Sequence, residues 1–175
     1  MIRTAALVAT AAFLSVAASV AAIAANSPVA ATFKSPAQVD IGTVQVDETP
    51  SGMRLRLHLR GLTPGWHAMH VHENGKCGTA DFADAGGHLG HDHAAHGRMS
   101  PTGPHVGDLP NIYAASDGVA NAEVFSERLT LSPARVLPTR GLVSGAAIIV
   151  HAKADDDETQ PSGNAGARVA CALIP

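Results

Sequence analysis

The chain has few basic residues and no cluster of them. Its 175 residues include 12 Lys and Arg against 15 Asp and Glu, which gives a formal net charge of −3 at pH 7. Proteins that bind nucleic acid usually carry a basic patch or stripe that neutralises phosphates. We therefore do not expect nucleic acid to be a partner.

Aromatic residues and helical periodicity are also scarce. Only 3% of the residues are Phe, Trp or Tyr, whereas 17 Gly and 11 Pro are present. Beyond the N-terminal segment, no long stretch has apolar residues at helical spacing, which argues against a helical fold. Frequent Gly and Pro are typical of turns between short strands.

A single long hydrophobic run lies at the N-terminus. Arg3 precedes an almost wholly apolar, Ala-rich stretch, residues 5–25, that contains the small-residue sequence AIA at 22–24. This arrangement is typical of a secretory signal peptide. We expect residues 1–24 to be the signal and residues 25–175 to be one domain, and removing Arg3 shifts the formal charge from −3 to −4. The alternative is an uncleaved membrane anchor, because about 20 apolar residues can span a bilayer. Hydroxyl residues interrupt the run and no basic flank follows it, which favours cleavage.

The rest of the chain is divided into short strand-like segments. Residues 53–60 alternate strictly between apolar and polar, which predicts a half-buried antiparallel strand. Two polar stretches, residues 73–110 and 154–166, lack periodicity and are expected to be loops. We predict an all-β fold, an Ig-like Greek-key β-sandwich or flattened barrel of about eight antiparallel strands with two long functional loops. The predicted strands are residues 29–34, 39–47, 53–60, 66–72, 112–115, 119–125, 146–151 and 167–174, with a hairpin turn at 116–118.

Cysteine is nearly absent, and the two that are present form a candidate pair. An even number of cysteines in an exported protein predicts a disulfide, here between Cys77 and Cys171. The closed loop would be long, so the chain-entropy account gives it about 4–5 kcal/mol of stabilisation. Two free buried thiols are the alternative.

Histidine, in contrast, is abundant and clustered. All ten histidines except His58 lie between positions 67 and 151, and neutral imidazole is a common ligand of transition metals. His70 and His72 are two residues apart on a predicted strand, so their side chains share one face and can converge on one ion. His67 has the opposite parity, and we expect it to hydrogen-bond nearby backbone. His58 is expected to be an ordinary surface residue.

Two metal sites follow from the remaining histidines. Three imidazoles and a carboxylate form a closed set that suits zinc, and they are His88, His96, His105 and Asp108. His151 ends an apolar strand and is a further candidate for the site of His70 and His72. A ligand set made only of nitrogen is well suited to copper.

These residues lie in motifs that resemble the copper/zinc superoxide dismutases, in particular the exported bacterial ones. The resemblance covers nearly all of residues 25–175. It rests on five segments in the family's order: HAMHVHE at 67–73, AGGH at 85–88, HVGDL at 105–109, IIVHAKADD at 148–156 and GNAGARVAC at 163–171.

The resemblance implies a copper site and a zinc site that share one histidine, His88. Copper would be bound by His70, His72, His88 and His151, and zinc by His88, His96, His105 and Asp108. The family pattern has Gly after the second zinc histidine, which selects His96 over His91 and His93. Those two either compete for zinc or belong to a solvated loop.

The resemblance also implies roles for residues that do not bind metal. Arg168 would guide and hold the anion beside copper, acting in catalysis together with His88. Asp155 would hydrogen-bond both His70 and His96, because such partners fix ring orientation. A disulfide between Cys77 and Cys171 would tie the first long loop to the barrel.

The function implied is superoxide dismutation in the periplasm or outside the cell. Two superoxide anions and two protons would give oxygen and hydrogen peroxide as the copper, bridged to zinc, cycles between oxidation states. Superoxide is then the small-molecule partner, without stable membrane association after signal cleavage, and the protein is a monomer or homodimer. The alternatives are a non-catalytic periplasmic copper and zinc carrier on the same scaffold, a copper-only dismutase, and a structural sandwich with incidental histidines.

Overall fold

The computed structural model describes residues 28–90, 94–137 and 140–175. The predicted signal peptide, residues 1–24, lies outside the described residues, as do His91 and His93. The proposed start of the mature domain at residue 25 is likewise outside them.

Within the described residues, the chain forms eleven strands. In chain order they are β1 (Val29–Lys34), β2 (Asp40–Thr49), β3 (Gly52–Leu59), β4 (Gly65–His67), β5 (Met69–His72), β6 (Ile112–Ala114), β7 (Ala120–Ser126), β8 (Leu129–Thr130), β9 (Gly141–Leu142), β10 (Ala147–His151) and β11 (Arg168–Leu173). Two short 3-10 helices, Ala83–Ala85 and Pro133–Arg135, are the helical segments of this part of the chain. None of its helices has the length and apolar character needed to cross a bilayer.

Seven strands form one antiparallel sheet in the order β5-β10-β11-β1-β2-β3-β7. The first and last strands of the chain, β1 and β11, are neighbours, and β10 pairs with β5 across a long crossing connection. The short strands form two ribbons, antiparallel β4–β6 and parallel β8–β9. The predicted all-β class, built on antiparallel pairing, is confirmed.

The apolar alternation of β3 sets one face of this sheet against the core. Met53, Leu55, Leu57 and Leu59 are buried, whereas Arg56 and His58 point to solvent. This is the pattern expected of a strand with one wet face. The same core includes Phe33 and Val44 from neighbouring strands, which are fully buried.

The opposite face of β5, β10 and β11 carries different residues. Met69 and Val71 belong to the main core, so His70 and His72 must point the other way. His70 is the register partner of Ile149, which in turn is the partner of Cys171. This outer face is therefore where histidines, a small apolar cluster and the disulfide meet.

Two long loops connect to this outer face. The first loop, residues 73–111, joins β5 to β6, and the second loop, residues 152–167, joins β10 to β11. Their lack of periodicity predicts both as loops, which is confirmed. They supply the remaining candidate metal ligands.

Three details of the strand prediction are wrong. The segment 66–72 is two strands, because the backbone of Ala68 bonds to Lys153 and His151 where the chain passes from the β6 ribbon to the main sheet. The turn at 116–118 exists, but the strands on its two sides do not form the predicted hairpin. Instead, β6 pairs with β4 and β7 pairs with β3. Residues 126–143, for which no strand is predicted, contain the small β8–β9 ribbon.

Candidate metal centre

Four buried imidazoles form the first group on the outer face of the sheet. Their ligand nitrogens all lie within 4.8 Å of one another. Two of the histidines come from β5, one from the end of β10 and one from the first loop. They are His70, His72, His151 and His88.

Hydrogen bonds fix the protonation of three of these rings. His72 Nδ1 is 2.9 Å from the carbonyl oxygen of Gly86, and His151 Nδ1 is 3.1 Å from that of Gly166. A carbonyl only accepts, so each Nδ1 carries a hydrogen and each Nε2 is left with a lone pair. His70 is held in the opposite sense, with Nε2 2.7 Å from Asp155 Oδ2. The inward nitrogens are therefore His72 Nε2, His151 Nε2 and His70 Nδ1.

The second group converges on one carboxylate oxygen. Asp108 Oδ1 lies 2.9, 3.1 and 3.3 Å from the Nδ1 atoms of His88, His96 and His105, respectively. The other oxygen, Oδ2, accepts hydrogen bonds from the backbone N–H groups of Gly97 and His105, each 2.9 Å long. The result is a compact set of three nitrogens and one oxygen, the donor set predicted for zinc.

His88 belongs to both groups. Its ring centroid is 4.0 Å from that of His70 in the first group and 5.3 Å from that of His105 in the second. Its Nδ1 lies 2.9 Å from Asp108 Oδ1, so this nitrogen belongs to the second group and Nε2 is the one left for the first. The two groups are adjacent and share this ring.

Asp155 connects the two groups a second time. Its Oδ2 bonds His70 and its Oδ1 lies 2.9 Å from His96 Nε2. Asn111, which no sequence motif identified, holds the backbone of Asp155: its side-chain amide donates to the Asp155 carbonyl and accepts from the Asp155 N–H. An Asn in the first loop has no local signal for this role, because its partner is 44 residues away.

Burial keeps three of the histidines neutral. Desolvation lowers the pKa of His72 to about 2, that of His151 to about 3 and that of His88 to about 4. For His88, Asp108 raises the pKa but does not overcome the burial. Neutral imidazoles with inward lone pairs are the form that binds metal.

The carboxylate side of the centre behaves differently. Burial lowers the pKa of His96, but its contacts with Asp108 and Asp155 outweigh this and raise it to about 9. Burial raises the pKa of Asp108, yet its bonds with His105, His88 and His96 hold it well below the usual range. The pKa of Asp155 is shifted downward in the same way by His70 and His96.

A metal ion fits the atoms that lack hydrogen bonds. His70 Nδ1, His72 Nε2, His151 Nε2 and His96 Nδ1 are buried, and none makes a hydrogen bond of acceptable geometry among the described residues. A buried polar atom without a partner is costly, and such groups need a specific explanation. Three of these nitrogens face the first group and one faces the second, so cations at both groups would satisfy all four.

Arg168 lies on the wall of the cavity that leads to the first group. This cavity has a volume of about 370 Å³ and is lined by His72, His88, His151 and Arg168, among others. The guanidinium donates to the carbonyl oxygens of Phe82 at 2.5 Å and Gly86 at 2.7 Å. These bonds hold a positive charge beside the histidines.

The predicted disulfide is present, and it anchors the part of the first loop whose carbonyl oxygens bind Arg168. Cys77 and Cys171 are bonded, with a Cα–Cα distance of 5.8 Å and a sequence separation of 94. Cys171 and Arg168 lie on the same strand, β11, so the bridge ties the first loop to the strand that carries the arginine.

The histidines expected outside the metal groups also have defined positions. His67 is buried, and its ring nitrogens lie 2.6 Å from the His151 carbonyl oxygen and 2.7 Å from that of Thr63, which confirms the predicted backbone contact. His58 is exposed on β3, with Nδ1 2.8 Å from Asn121 Oδ1. Whether His91 or His93 competes for zinc stays a prediction, since both lie outside the described residues.

Comparisons with known proteins identify the family of this chain. A family model described as copper/zinc superoxide dismutase matches residues 40–174. A Cu-Zn superoxide dismutase of Caulobacter vibrioides is 52% identical over 137 residues, which cover 77% of this chain and 78% of the relative. The crystal structure of a superoxide dismutase-like protein from Bacillus subtilis has a TM-score of 0.77 at 30% identity, covering 83% of this chain and 97% of that one. The Cu/Zn superoxide dismutase of Brucella abortus gives 0.68 at 28% identity, over 85% and 100%. The chain therefore belongs to the copper/zinc superoxide dismutase family.

Proposed function

We propose that this protein is an exported superoxide dismutase that uses copper and zinc. It converts two superoxide anions and two protons into one oxygen and one hydrogen peroxide molecule. Family membership supports this activity. The observation that carries it is the shared ring of His88, which stands between the two ligand groups and beside a cavity lined by Arg168.

The ligand assignment follows from the two groups of side chains. His70, His72, His88 and His151 would hold copper, and His88, His96, His105 and Asp108 would hold zinc. A nitrogen set suits copper, and a closed N₃O set suits zinc. When bound, copper exchanges single electrons with superoxide, whereas zinc does not change its oxidation state.

The chain's own groups bind the anion and handle protons. Arg168 offers a fixed positive charge and two-fold hydrogen bonding to a small anion at the cavity wall. His88 Nδ1 stays on the side of Asp108, so Nε2 is the atom that takes up a proton and gives it to the reduced product. Asp155 keeps the rings of His70 and His96 oriented during this exchange.

Superoxide consumption by the metal-loaded protein tests the function. We expect the protein loaded with one copper and one zinc to remove superoxide catalytically in a stopped-flow or pulse-radiolysis assay. His88→Gln should lose most of this activity, because it removes the ring shared by the two sites. His58→Gln, the same change on the exposed face of β3, should keep it.

The same assay separates the proposal from a metal carrier. A non-catalytic carrier would retain both ions without consuming superoxide, and this result would overturn the proposed activity. Retention of copper alone, with full activity, would instead identify a copper-only dismutase and exclude zinc as a partner of His88.

We also propose export to the periplasm or the extracellular space. The basic, Ala-rich N-terminal segment favours a signal peptide that is cut after Ala24. A disulfide fits an oxidising compartment. Mass spectrometry of the exported protein should give a chain that starts near residue 25, whereas a full-length chain in the membrane fraction would contradict cleavage.

The mature protein is proposed to act as a monomer or homodimer without stable membrane association. Sedimentation of the exported, metal-loaded protein should give one of these two masses. Recovery of the protein in detergent extracts alone would contradict the absence of a membrane anchor.

A further inference from the structure

Gln160 is a residue to which neither the ligand groups nor the proposed catalytic steps give a role. It lies in the second loop and lines the cavity that also contains His88 and Arg168. The sequence around it, Glu158-Thr159-Gln160-Pro161, carries no pattern that distinguishes it from any polar surface loop.

The carboxamide of Gln160 pairs with both backbone groups of one residue in the first loop. The His96 N–H donates to Gln160 Oε1 over 2.8 Å, and Gln160 Nε2 donates to the His96 carbonyl oxygen over 2.8 Å. The second hydrogen of Nε2 is directed to the Glu158 carbonyl oxygen, 3.0 Å away. A reversed amide would put its oxygen against two carbonyl oxygens, so the three contacts allow one orientation.

Gln160 therefore pairs with the backbone of a residue whose ring belongs to the second group, the proposed zinc ligands. His96 is fully buried, and its backbone N–H and carbonyl need partners as any buried peptide does. Gln160 supplies both, as an antiparallel strand would. The ring then has Nδ1 at 3.1 Å from Asp108 Oδ1 and Nε2 at 2.9 Å from Asp155 Oδ1.

Three contacts therefore fix His96, and Gln160 is the one that holds its backbone. The two carboxylates contact the ring, and the N–H groups of the neighbours Ala95 and Gly97 have partners of their own. Gln160 is the contact that pairs with the N–H and carbonyl of His96 itself. Among the described residues around His96, 94–104, none belongs to a strand or helix, so no regular backbone pairing is present there to replace the lost contact.

We propose that Gln160 is a positioning residue for zinc, acting through the backbone of His96. It joins the second loop to the first and keeps His96 Nδ1 in the zinc group. The proposal rests on the proposed function, because it takes His96 as a zinc ligand. It also implies that zinc binding stabilises the second loop, which forms part of the cavity wall in front of the copper group.

Gln160→Met tests this role, since Met keeps the length of the side chain and cannot pair with the backbone. Zinc affinity is measured by competition with a chromogenic chelator on the copper-loaded protein. We expect a loss of about 10- to 100-fold, the range seen when partners of metal ligands are removed. Copper affinity, measured by the same kind of competition, should change by less than about threefold. Gln45→Met, the same substitution on β2, is the matched control and should leave both affinities unchanged.

Hydrogen–deuterium exchange gives a second readout that does not depend on activity. In the wild-type protein, zinc should slow exchange in a peptide covering residues 158–166, and Gln160→Met should remove most of this protection. Gln160→Glu keeps an acceptor but, when ionised, cannot donate to His96, so it should also weaken zinc. It provides the measurement if the Met variant fails to fold.

Zinc affinity within about twofold of wild type in both variants overturns the proposal. An equal loss of copper and zinc affinity also overturns it, because that result describes a general structural role. Failure of the wild-type protein to consume superoxide would reject the proposed function without affecting the zinc measurement, so the two failures are distinguishable.

Discussion

At the scale of single residues, the position of Arg168 follows from two backbone carbonyls and not from a carboxylate. Phe82 and Gly86 accept from its guanidinium, so its charge is held in place. Within the described residues Asp81 and Asp84 interact with this charge electrostatically, but neither forms an ion pair with it. An oriented positive charge at a cavity wall raises the association rate of a small anion, particularly at low salt.

Arg168→Ala is therefore expected to slow the enzyme while copper stays bound. We expect kcat/KM for superoxide to fall by about 10- to 100-fold at low ionic strength, with a weaker dependence on salt. Arg168→Lys retains charge but loses the two-carbonyl geometry and should be intermediate. Full activity of the Ala variant at low salt, with normal copper content, would show that Arg168 does not attract the substrate.

Gly97 is a second residue whose side chain, or lack of one, matters to the site. It has a φ of +89°, and a Cβ at this position would lie 2.0 Å from the Asp157 carbonyl oxygen. Its N–H also donates to Asp108. The family pattern of Gly after His96 thus has a physical reason, since only Gly lets the two loops approach this closely.

Gly97→Ala should separate the loops and weaken zinc binding. We expect a loss of about 1–3 kcal/mol in the free energy of unfolding of the zinc-loaded protein, from strain and overlap. Gly61→Ala is the matched control, because Gly61 has a φ of +76° and a Cβ added to it would meet no atom within 4 Å. The free energy of unfolding of the control should fall only by the cost of placing Ala in a left-handed backbone conformation, and its zinc affinity should be unchanged. Equal zinc affinities in the two variants would contradict the loop contact.

At the scale of secondary structure elements, the disulfide connects the first loop, which holds the side chain of Arg168, to β11, which carries it. The bridge closes a loop with a sequence separation of 94 residues, and the segment beside Cys77 contains the two carbonyls that bind Arg168. Removing the bridge releases that segment from the strand.

The double variant Cys77→Ser/Cys171→Ser should be both less stable and less active. Loop-closure entropy predicts a loss of about 4–5 kcal/mol in the free energy of unfolding, measured with urea. Because Arg168 loses a rigid anchor, kcat/KM should fall by more than the loss of bound copper explains. Activity per bound copper equal to that of the wild type would show that the bridge contributes stability alone.

Local sequence patterns predict the long strands well and the short ones poorly. Alternation in residues 53–60 and the apolar run ending at His151 predict elements close to β3 and β10, because burial of one or both faces is reflected in the local pattern. The split at Ala68 depends on hydrogen bonds to residues beyond position 150. No pattern within residues 66–72 contains that information.

At the scale of the whole molecule, the candidate site also has some features that the sequence predicts and others that it does not. The side chains that gather in the two groups are predictable because His and Asp are recognisable as candidate ligands and their motifs resemble a family. The contacts that orient them are not, because Asn111 pairs with Asp155 across 44 residues and Gln160 pairs with His96 across 64. Such pairs become visible only when the two loops are folded against each other.

The whole centre also makes the stability of the metal-free protein depend on pH. The folded-state pKa values of His72, His88 and His151 are about 2, 4 and 3, below the 6.5 of an unfolded chain. Below pH 6.5 the unfolded chain therefore binds up to three protons that the folded one does not, so stability falls with falling pH. His96 has the opposite sign. Its pKa of about 9 gives a stabilisation that is complete below pH 6.5 and lost as the pH rises through 9.

We accordingly expect the metal-free protein to be most stable near about pH 6.5–7 and to lose stability more steeply on the acid side. The limiting slope between pH 6 and 5 is about 4 kcal/mol per pH unit for three protons, against about 1.4 on the alkaline side for one. Urea unfolding of chelator-treated protein from about pH 5 to 9 measures both slopes. His72→Gln should reduce the acid slope by about one proton, because Gln is neutral in both states. A flat profile across the acid range, or an acid slope unchanged in His72→Gln, would mean that these imidazoles are not held neutral by the fold.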